Sequence, residues 1–274
     1  MTLIDGRALA AEIRAEIAEL AAETPCALAA VVATGEQATE WYLGALAKAA
    51  GQLGIGFREE RLDSRDRTGT LERLEALSAD RDVHGILCLT PLPERLSLAE
   101  AGERIDPAKD VDGASPLSFG RLAAGLPAFS PATAQAVVEL LRHSGAALSG
   151  ADAVIVGRST VVGKPLAMLL LAENATVTVC HSRTRNLAAE TRRADVLIAA
   201  AGSTHLIGAE HVRPGAIVID VGTNETADGE MVGDVDTGAV QEIAAAVTPV
   251  PGGVGPVTTA VLLRNVVHAA QASQ

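Results

Sequence analysis

Aromatic side chains make up only 2% of the 274 residues, with one Trp, one Tyr and three Phe. A core must then be packed from Ala, Val, Leu and Ile, which suits buried parallel strands covered by helices. Cysteine is scarce too. Cys26, Cys88 and Cys180 are odd in number, widely spaced and each beside an apolar strand pattern, which suggests a reducing compartment and neither a disulfide framework nor a zinc site. Positive charge is in deficit, with 22 Lys and Arg against 34 Asp and Glu, and the formal charge of −12 argues against a nucleic-acid or anionic-membrane partner. Any anionic ligand must meet a local cluster of positive charge. Charge-free apolar runs of membrane-spanning length are missing, and Asp5, Arg7, Glu12, Arg14 and Glu16 interrupt any secretory h-region, so a cytoplasmic protein is expected.

What is present is an alternation of strand and helix patterns. Leu9, Ile13, Ile17 and Leu20 recur at helical spacing, and an apolar strand follows at Ala27 to Ala33. The spacing then predicts a helix from Ala38 to Leu53, a strand from Phe57 to Leu62, a helix near Leu71 to Leu77 and a buried strand from Gly85 to Leu89. Between Lys109 and Pro131 glycines and prolines break any period, which places a domain junction there before a helix from Ala134 to Ser144. Strands near Ala153, Ala175, Val196 and Ala216 form the second half. The expected architecture is α/β in two domains, residues 1–130 with 257–274 and residues 131–256, the last helix returning to the first domain.

One loop carries the sharpest chemical signal. Gly157-Arg158-Ser159-Thr160-Val161-Val162-Gly163-Lys164-Pro165 follows a short apolar strand and opens a helix, the arrangement in which free N–H groups and the helix dipole attract a phosphate. The spacing is not the common dinucleotide fingerprint, because Ser159 stands where a second glycine would be and Gly163 falls one residue late. The next strand runs into His181-Ser182-Arg183-Thr184 in place of an acidic ribose ligand. Arg158, Ser182 and Arg183 together suit a ribose phosphate, which favours NADP over NAD; the plainer reading is three solvated loop residues. The stretch Thr248 to Pro256 reads either as a rigid connector or as a ligand-facing loop stiffened by proline.

Taken together, these pieces resemble the methylenetetrahydrofolate dehydrogenase/cyclohydrolase family. The markers are Tyr42, Pro91-Leu92-Pro93, Lys109-Asp110-Val111-Asp112-Gly113, the Gly157 to Pro165 loop, Cys180 to Thr184, Gly233-Asp234-Val235-Asp236, and Pro249 to Pro256 with Thr258-Thr259. The resemblance implies an N-terminal folate domain and a Rossmann-like NADP domain, with a tetrahydrofolate derivative in the cleft and usually a homodimer. It implies that Tyr42 stacks on the pterin and aminobenzoate portion, that Asp112 hydrogen-bonds the pterin, and that Pro251, Gly252, Gly253 and Thr259 contact substrate. It assigns NADP to Gly157, Arg158, Ser159, Val162, Gly163, Ser182, Arg183 and Thr223. On the residues alone, Tyr42 also reads as a half-buried aromatic and Asp112 as a turn residue; Asp110 is either a partner for Lys109 or solvated.

The chain departs from that family at its catalytic pair. A gap-free alignment puts Leu46 at the family's catalytic lysine and Leu89 at the glutamine that hydrogen-bonds it. Replacing both partners avoids leaving one of them buried and unsatisfied. Lys48 lies on nearly the opposite helix face. Smaller departures are Thr39 for a serine, and Ala132-Thr133-Ala134 for Cys-Thr-Pro. Hydride transfer moves no proton, whereas hydrolysis of the methenyl ring does. The expectation is an NADP-dependent dehydrogenase with weak or absent cyclohydrolase activity; the alternatives are the full bifunctional enzyme and a non-catalytic or repurposed folate- or NADP-binding paralogue.

Overall fold

The computed structural model describes residues 2–226 and 228–273. The chain divides into two compact units, one of Glu12–Ala132 with Thr259–Gln274 and the other of Met1–Ala11 with Thr133–Thr258. The first half runs β1 (Thr2–Leu3), α1 (Gly6–Glu23), β2 (Ala27–Val32), α2 (Gln37–Gln52), β3 (Gly56–Arg61), α3 (Arg67–Ala79), β4 (Gly85–Cys88), α4 (Leu98–Gly102) and α5 (Pro116–Ala123). It continues with α6 (Ala132–His143), β5 (Asp152–Val156), α7 (Gly163–Ala172), β6 (Thr176–Cys180), α8 (Leu187–Thr191), β7 (Val196–Ala199) and β8 (Ile217–Asp220). The chain then forms β9 (Asn224–Glu225), β10 (Met231–Val232), α9 (Thr237–Val240), β11 (Ala246–Val247) and α10 (Val254–Ala272).

In the Glu12–Ala132 unit, β2 lies between β3 and β4 in a parallel three-stranded sheet. Every residue of β4 is buried, whereas β3 carries the charged edge sequence Gly-Phe-Arg-Glu-Glu-Arg. Small and branched residues fill this core, among them Ala29, Val31, Leu74, Leu77 and Ile86. From Thr259 onward α10 belongs to this unit, and its Asn265 amide donates to the Val111 carbonyl at 2.9 Å.

The other unit is built on a parallel sheet in the order β1-β11-β8-β7-β5-β6. β5 lies between β6 and β7, so the strand order reverses at the ends of β5 and β7, where α/β sheets place their ligand crevice. Residues 1–11 group here and not with the first domain, because β1 pairs with β11. The stretch between Lys109 and Pro131, expected to be irregular, contains α5, started by Ser115 as N-cap and by Pro116 in the first turn. Helix α10 also begins at Val254 and not at Val257, so Gly255-Pro256 is its first turn and not loop. Among the described residues no helix is long and apolar enough to cross a membrane.

Candidate functional site

In the Glu12–Ala132 unit the chemistry gathers at the ends of the strands. The turn after Asp106 is pinned from two elements: the Ile86 N–H donates to the Lys109 carbonyl at 2.9 Å, and Asn265 holds Val111. Gly113 adopts φ 56°, and a Cβ there would press to 2.5 Å from the Phe129 carbonyl, so the turn needs glycine. The result sets Asp112 against the start of α6, where its Oδ1 accepts the Ala132 N–H at 2.8 Å. Burial lifts the Asp112 carboxyl from the usual 3.8 to about 7; the amide opposes the rise and the Asp110 charge adds to it.

Tyr42 projects from α2, half-buried and within the electrostatic reach of Asp112. Burial first, and the Asp112 charge second, raise the phenol above its ordinary pKa and keep it protonated. The two residues thus share one unit, and the charge of one acts on the other. Leu46 faces the core at 0% exposure, and Leu89 is buried at 8% with its N–H on the Val31 carbonyl. Lys48 is exposed, as its helical position required. The Thr39 hydroxyl donates to the Thr90 carbonyl at 3.4 Å, tying α2 to the segment that follows Leu89.

Asp110 corrects both sequence readings, since it is neither solvated nor the partner of Lys109. It is fully buried and accepts from Ala114 N, Ser115 N and the Ser118 hydroxyl at 2.8, 3.0 and 2.6 Å, while the Lys109 ammonium donates to the Asp80 carbonyl. It is a scaffold for the turn and for α5. Cys88, treated as a plain core residue in the sequence, lies near both carboxylates; burial, then the Asp110 and Asp112 charges, push its thiol up to about 12. An open cavity of about 590 Å³ lies among the loops after β2, β3 and β4, lined by Thr34, Arg61, Arg65, Pro91 and Glu94, and none of Tyr42, Leu46, Leu89 or Asp112 lines it.

In the other unit, Gly157 sits at φ 139°, and a Cβ there would overlap the Ala200 carbonyl; one on Gly163 would overlap the Gly157 carbonyl. The loop is thus closed on itself with its backbone accessible at the N-terminus of α7, a shape that fits a pyrophosphate. Ser159 Oγ accepts the Val162 N–H at 3.1 Å, so Ser159 shapes the loop. The Gly157 N–H donates to the Cys180 carbonyl, which starts the Arg158 and Ser182 loops from neighbouring strand ends. His181 braces the second loop: its N–H donates to Thr184 Oγ1 at 2.9 Å and its Nδ1 accepts the Arg183 N–H at 3.1 Å. Arg158, Ser182 and Arg183 are left exposed, and Thr223 is exposed beyond the end of β8.

Pro251, Gly252 and Gly253 belong to the same unit as β1. The Gly6 N–H donates to the Gly252 carbonyl at 3.0 Å, and a Cβ on Gly252 would lie 2.6 Å from the Arg7 guanidinium. The loop is therefore stitched to the N-terminal segment as well as stiffened by proline. Thr259 lies on α10, half-buried, in the unit that contains Tyr42 and Asp112.

These features define a two-unit α/β protein in which one unit is of the dinucleotide-binding type. The chain belongs to the tetrahydrofolate dehydrogenase/cyclohydrolase family: the catalytic-domain model of that family matches residues 4–112 and its NAD(P)-binding-domain model residues 131–274. It is 52% identical to the bifunctional protein FolD of Parafrankia sp. (strain EAN1pec), over 98% of this chain and 99% of that protein. Among solved structures it resembles the bifunctional FolD dehydrogenase/cyclohydrolase of Campylobacter jejuni, with 40% identity, TM-score 0.96 and full coverage of both chains. It also resembles the FolD of Trypanosoma brucei complexed with NADP cofactor and an inhibitor, with 35% identity, TM-score 0.94 and coverage of 100% of this chain and 98% of that one.

Proposed function

We propose that this chain is an NADP-dependent methylenetetrahydrofolate dehydrogenase of one-carbon metabolism with weak or absent cyclohydrolase activity. Arg158, Ser182 and Arg183 hold the ribose phosphate, and the Gly157 to Gly163 backbone receives the pyrophosphate. The nicotinamide, when bound, supplies the hydride acceptor. Tyr42 offers a flat face and a protonated hydroxyl to the folate, and Asp112, with one oxygen on Ala132, keeps lone pairs for donors of the pterin. Taking a hydride from the methylene bridge leaves a delocalised methenyl cation and moves no proton, so these residues need only align and stabilise.

Ring hydrolysis needs more: a water must be activated and protons moved, work to which a positioned acid or base contributes about a hundred- to ten-thousand-fold. The observation that carries the proposal is the burial of Leu46, at 0% exposure, and of Leu89, at 8%, in the positions of the family's lysine and glutamine. The test is spectrophotometric, with purified protein and methylene substrate plus NADP or NAD, and separately the decay of added methenyl compound. Cofactor reduction with methenyl decay at the buffer rate supports the reading, and rapid enzymatic decay refutes its second half.

One observation favours the bifunctional reading. Burial raises the Asp112 carboxyl to about 7, and its charge acts on Tyr42, so it is the side chain of this unit suited to carry a proton near neutral pH. Methenyl decay well above the buffer rate, lost in Asp112→Asn, supports that reading. Failure to reduce either cofactor supports the paralogue. The family resemblance implies a homodimer, tested by sedimentation, and three buried, unpaired cysteines fit a reducing cytoplasm.

A further inference from the structure

The loop that follows β7 has an unusual support. Ala201, Gly202 and Ser203 are exposed, yet their three consecutive N–H groups all point inward to one carboxylate. Asp234, at 0% exposure, accepts Ala201 N at 2.6 Å and Gly202 N at 3.0 Å on Oδ2, and Ser203 N at 2.8 Å and Asn224 Nδ2 at 2.9 Å on Oδ1. Asp234 is itself held by a second buried carboxylate. Asp220 accepts the N–H groups of Gly222, Asp234 and Val235 at 2.9, 3.0 and 3.0 Å, and its own N–H donates to the Thr248 hydroxyl at 2.7 Å. A Cβ on Gly222 would overlap Asp234 and one on Gly233 would overlap Asp220, so both glycines are needed for the carboxylates to reach these amides.

The position of this network in the sheet gives it a role. β5 and β7 flank the point where strand order reverses, the first loop after β5 takes the pyrophosphate, and the β6 side takes the ribose phosphate. The remaining half of a dinucleotide must then lie over the ends of β7 and β8, against residues 200–203 and 221–224. Ala200 also contacts Gly157 of the phosphate loop.

We propose that Asp234 is a positioning residue for the nicotinamide half of the cofactor: through the 201–203 amides and Asn224 it fixes the wall on which that half rests. The proposal rests on the reading of this unit as an NADP site. It assigns Asp234 no contact with the cofactor and no proton transfer.

Two variants test it, Asp234→Asn and the milder Asn224→Ala. Hydrogen exchange of the cofactor-free protein reads the wall directly, and calorimetry with NADP and NAD reads the consequence. In Asp234→Asn the amides of 201–203 are expected to exchange faster, and both cofactors to weaken by the same factor, between about ten- and a hundred-fold, as misplacement of a binding wall does. The NADP-to-NAD preference stays, because Arg158 is untouched, and KM for the folate stays near that of the parent protein. Asn224→Ala is expected to weaken both cofactors several-fold in a protein that folds normally. Unchanged 201–203 exchange, or unchanged cofactor affinity in both variants, overturns the proposal. Should the parent protein bind neither cofactor, the functional reading fails instead, while the exchange result still decides whether Asp234 holds the loop.

Discussion

Restoring the lost pair by Leu46→Lys with Leu89→Gln tests the central reading most severely. Position 46 is at 0% exposure, so an ammonium placed there alone loses its hydration without a partner. Such a group costs about 3–5 kcal/mol and drops the lysine pKa by up to about 3–5 units, to a value near neutrality. Gln alone at position 89, exposed by 8%, buries an unpaired amide at about 1–3 kcal/mol. Together, the amide oxygen accepts from the ammonium, and a hydrogen bond to a charged group returns about 1.5–3 kcal/mol. Urea unfolding of the parent, both single variants and the double variant should therefore show a favourable coupling of about 1–3 kcal/mol. Methenyl decay should rise about a hundredfold or more in the double variant and much less in either single one. Additive stabilities within about 0.3 kcal/mol, with additive hydrolysis rates, would remove the reason for pairing the two leucines. So would a parent protein that already hydrolyses as fast as the double variant.

Arg158→Ala should weaken NADP by about ten- to a hundred-fold, the worth of a charge-assisted hydrogen bond to phosphate, and leave NAD within about twofold; equal losses for both in calorimetry would contradict its assignment. Asp112→Asn should stabilise the protein at alkaline pH. A folded pKa of about 7 against an ordinary 3.8 means that the native state binds more protons between those values, so this carboxyl's contribution to stability falls as pH rises from about 4 to about 7 and is flat outside. That shift is worth at most about 4 kcal/mol, and solvent at a half-buried group cuts it to about 1–2 kcal/mol. The difference between parent and variant melting curves at pH 4 and pH 8 measures it, and a pH-independent difference would refute it. Asp110→Ala should cost about 3 kcal/mol or more in urea unfolding, because it orphans the two backbone donors and the Ser118 hydroxyl; a loss under 1 kcal/mol would show that the turn does not depend on it.

Much of the fold was legible because glycine, proline and apolar runs mark both ends of its strands and helices. Strand β2 ends at Val32 against an expected Ala33, and α2 spans Gln37–Gln52 against an expected Ala38 to Leu53. The failures share a cause. β1 and β11 are two residues each, too short to carry a period, and exist only because they pair across most of the chain. Helix α5 was hidden by the glycines and prolines around it, although Ser115-Pro116 is a helix start. At the site, residue types alone gave Tyr42 and Asp112 only in the company of a family pattern. The buried work of Asp110, Asp220 and Asp234 was unreadable, because their partners are backbone amides that no sequence pattern marks.

Those carboxylates also separate scaffold from site. Asp110 accepts three donors and Asp234 four, all from the protein, so most of their lone pairs are spent on backbone amides and on the Ser118 and Asn224 side chains. A raised pKa would not by itself have chosen among the rest: burial lifts Asp220 to about 6 despite three amide donors, much as it lifts Asp112 to about 7. Asp112 differs in being held by Ala132 N on one oxygen, and its charge acts on the chain's only tyrosine. A half-buried carboxyl whose pKa is raised by lost solvation is costly to ionise unless something else completes it. On the function proposed above, that something is the donor-bearing pterin of the folate, and the leucines at 46 and 89 would keep the carboxyl that binds it while omitting the ammonium that serves hydrolysis of the methenyl ring.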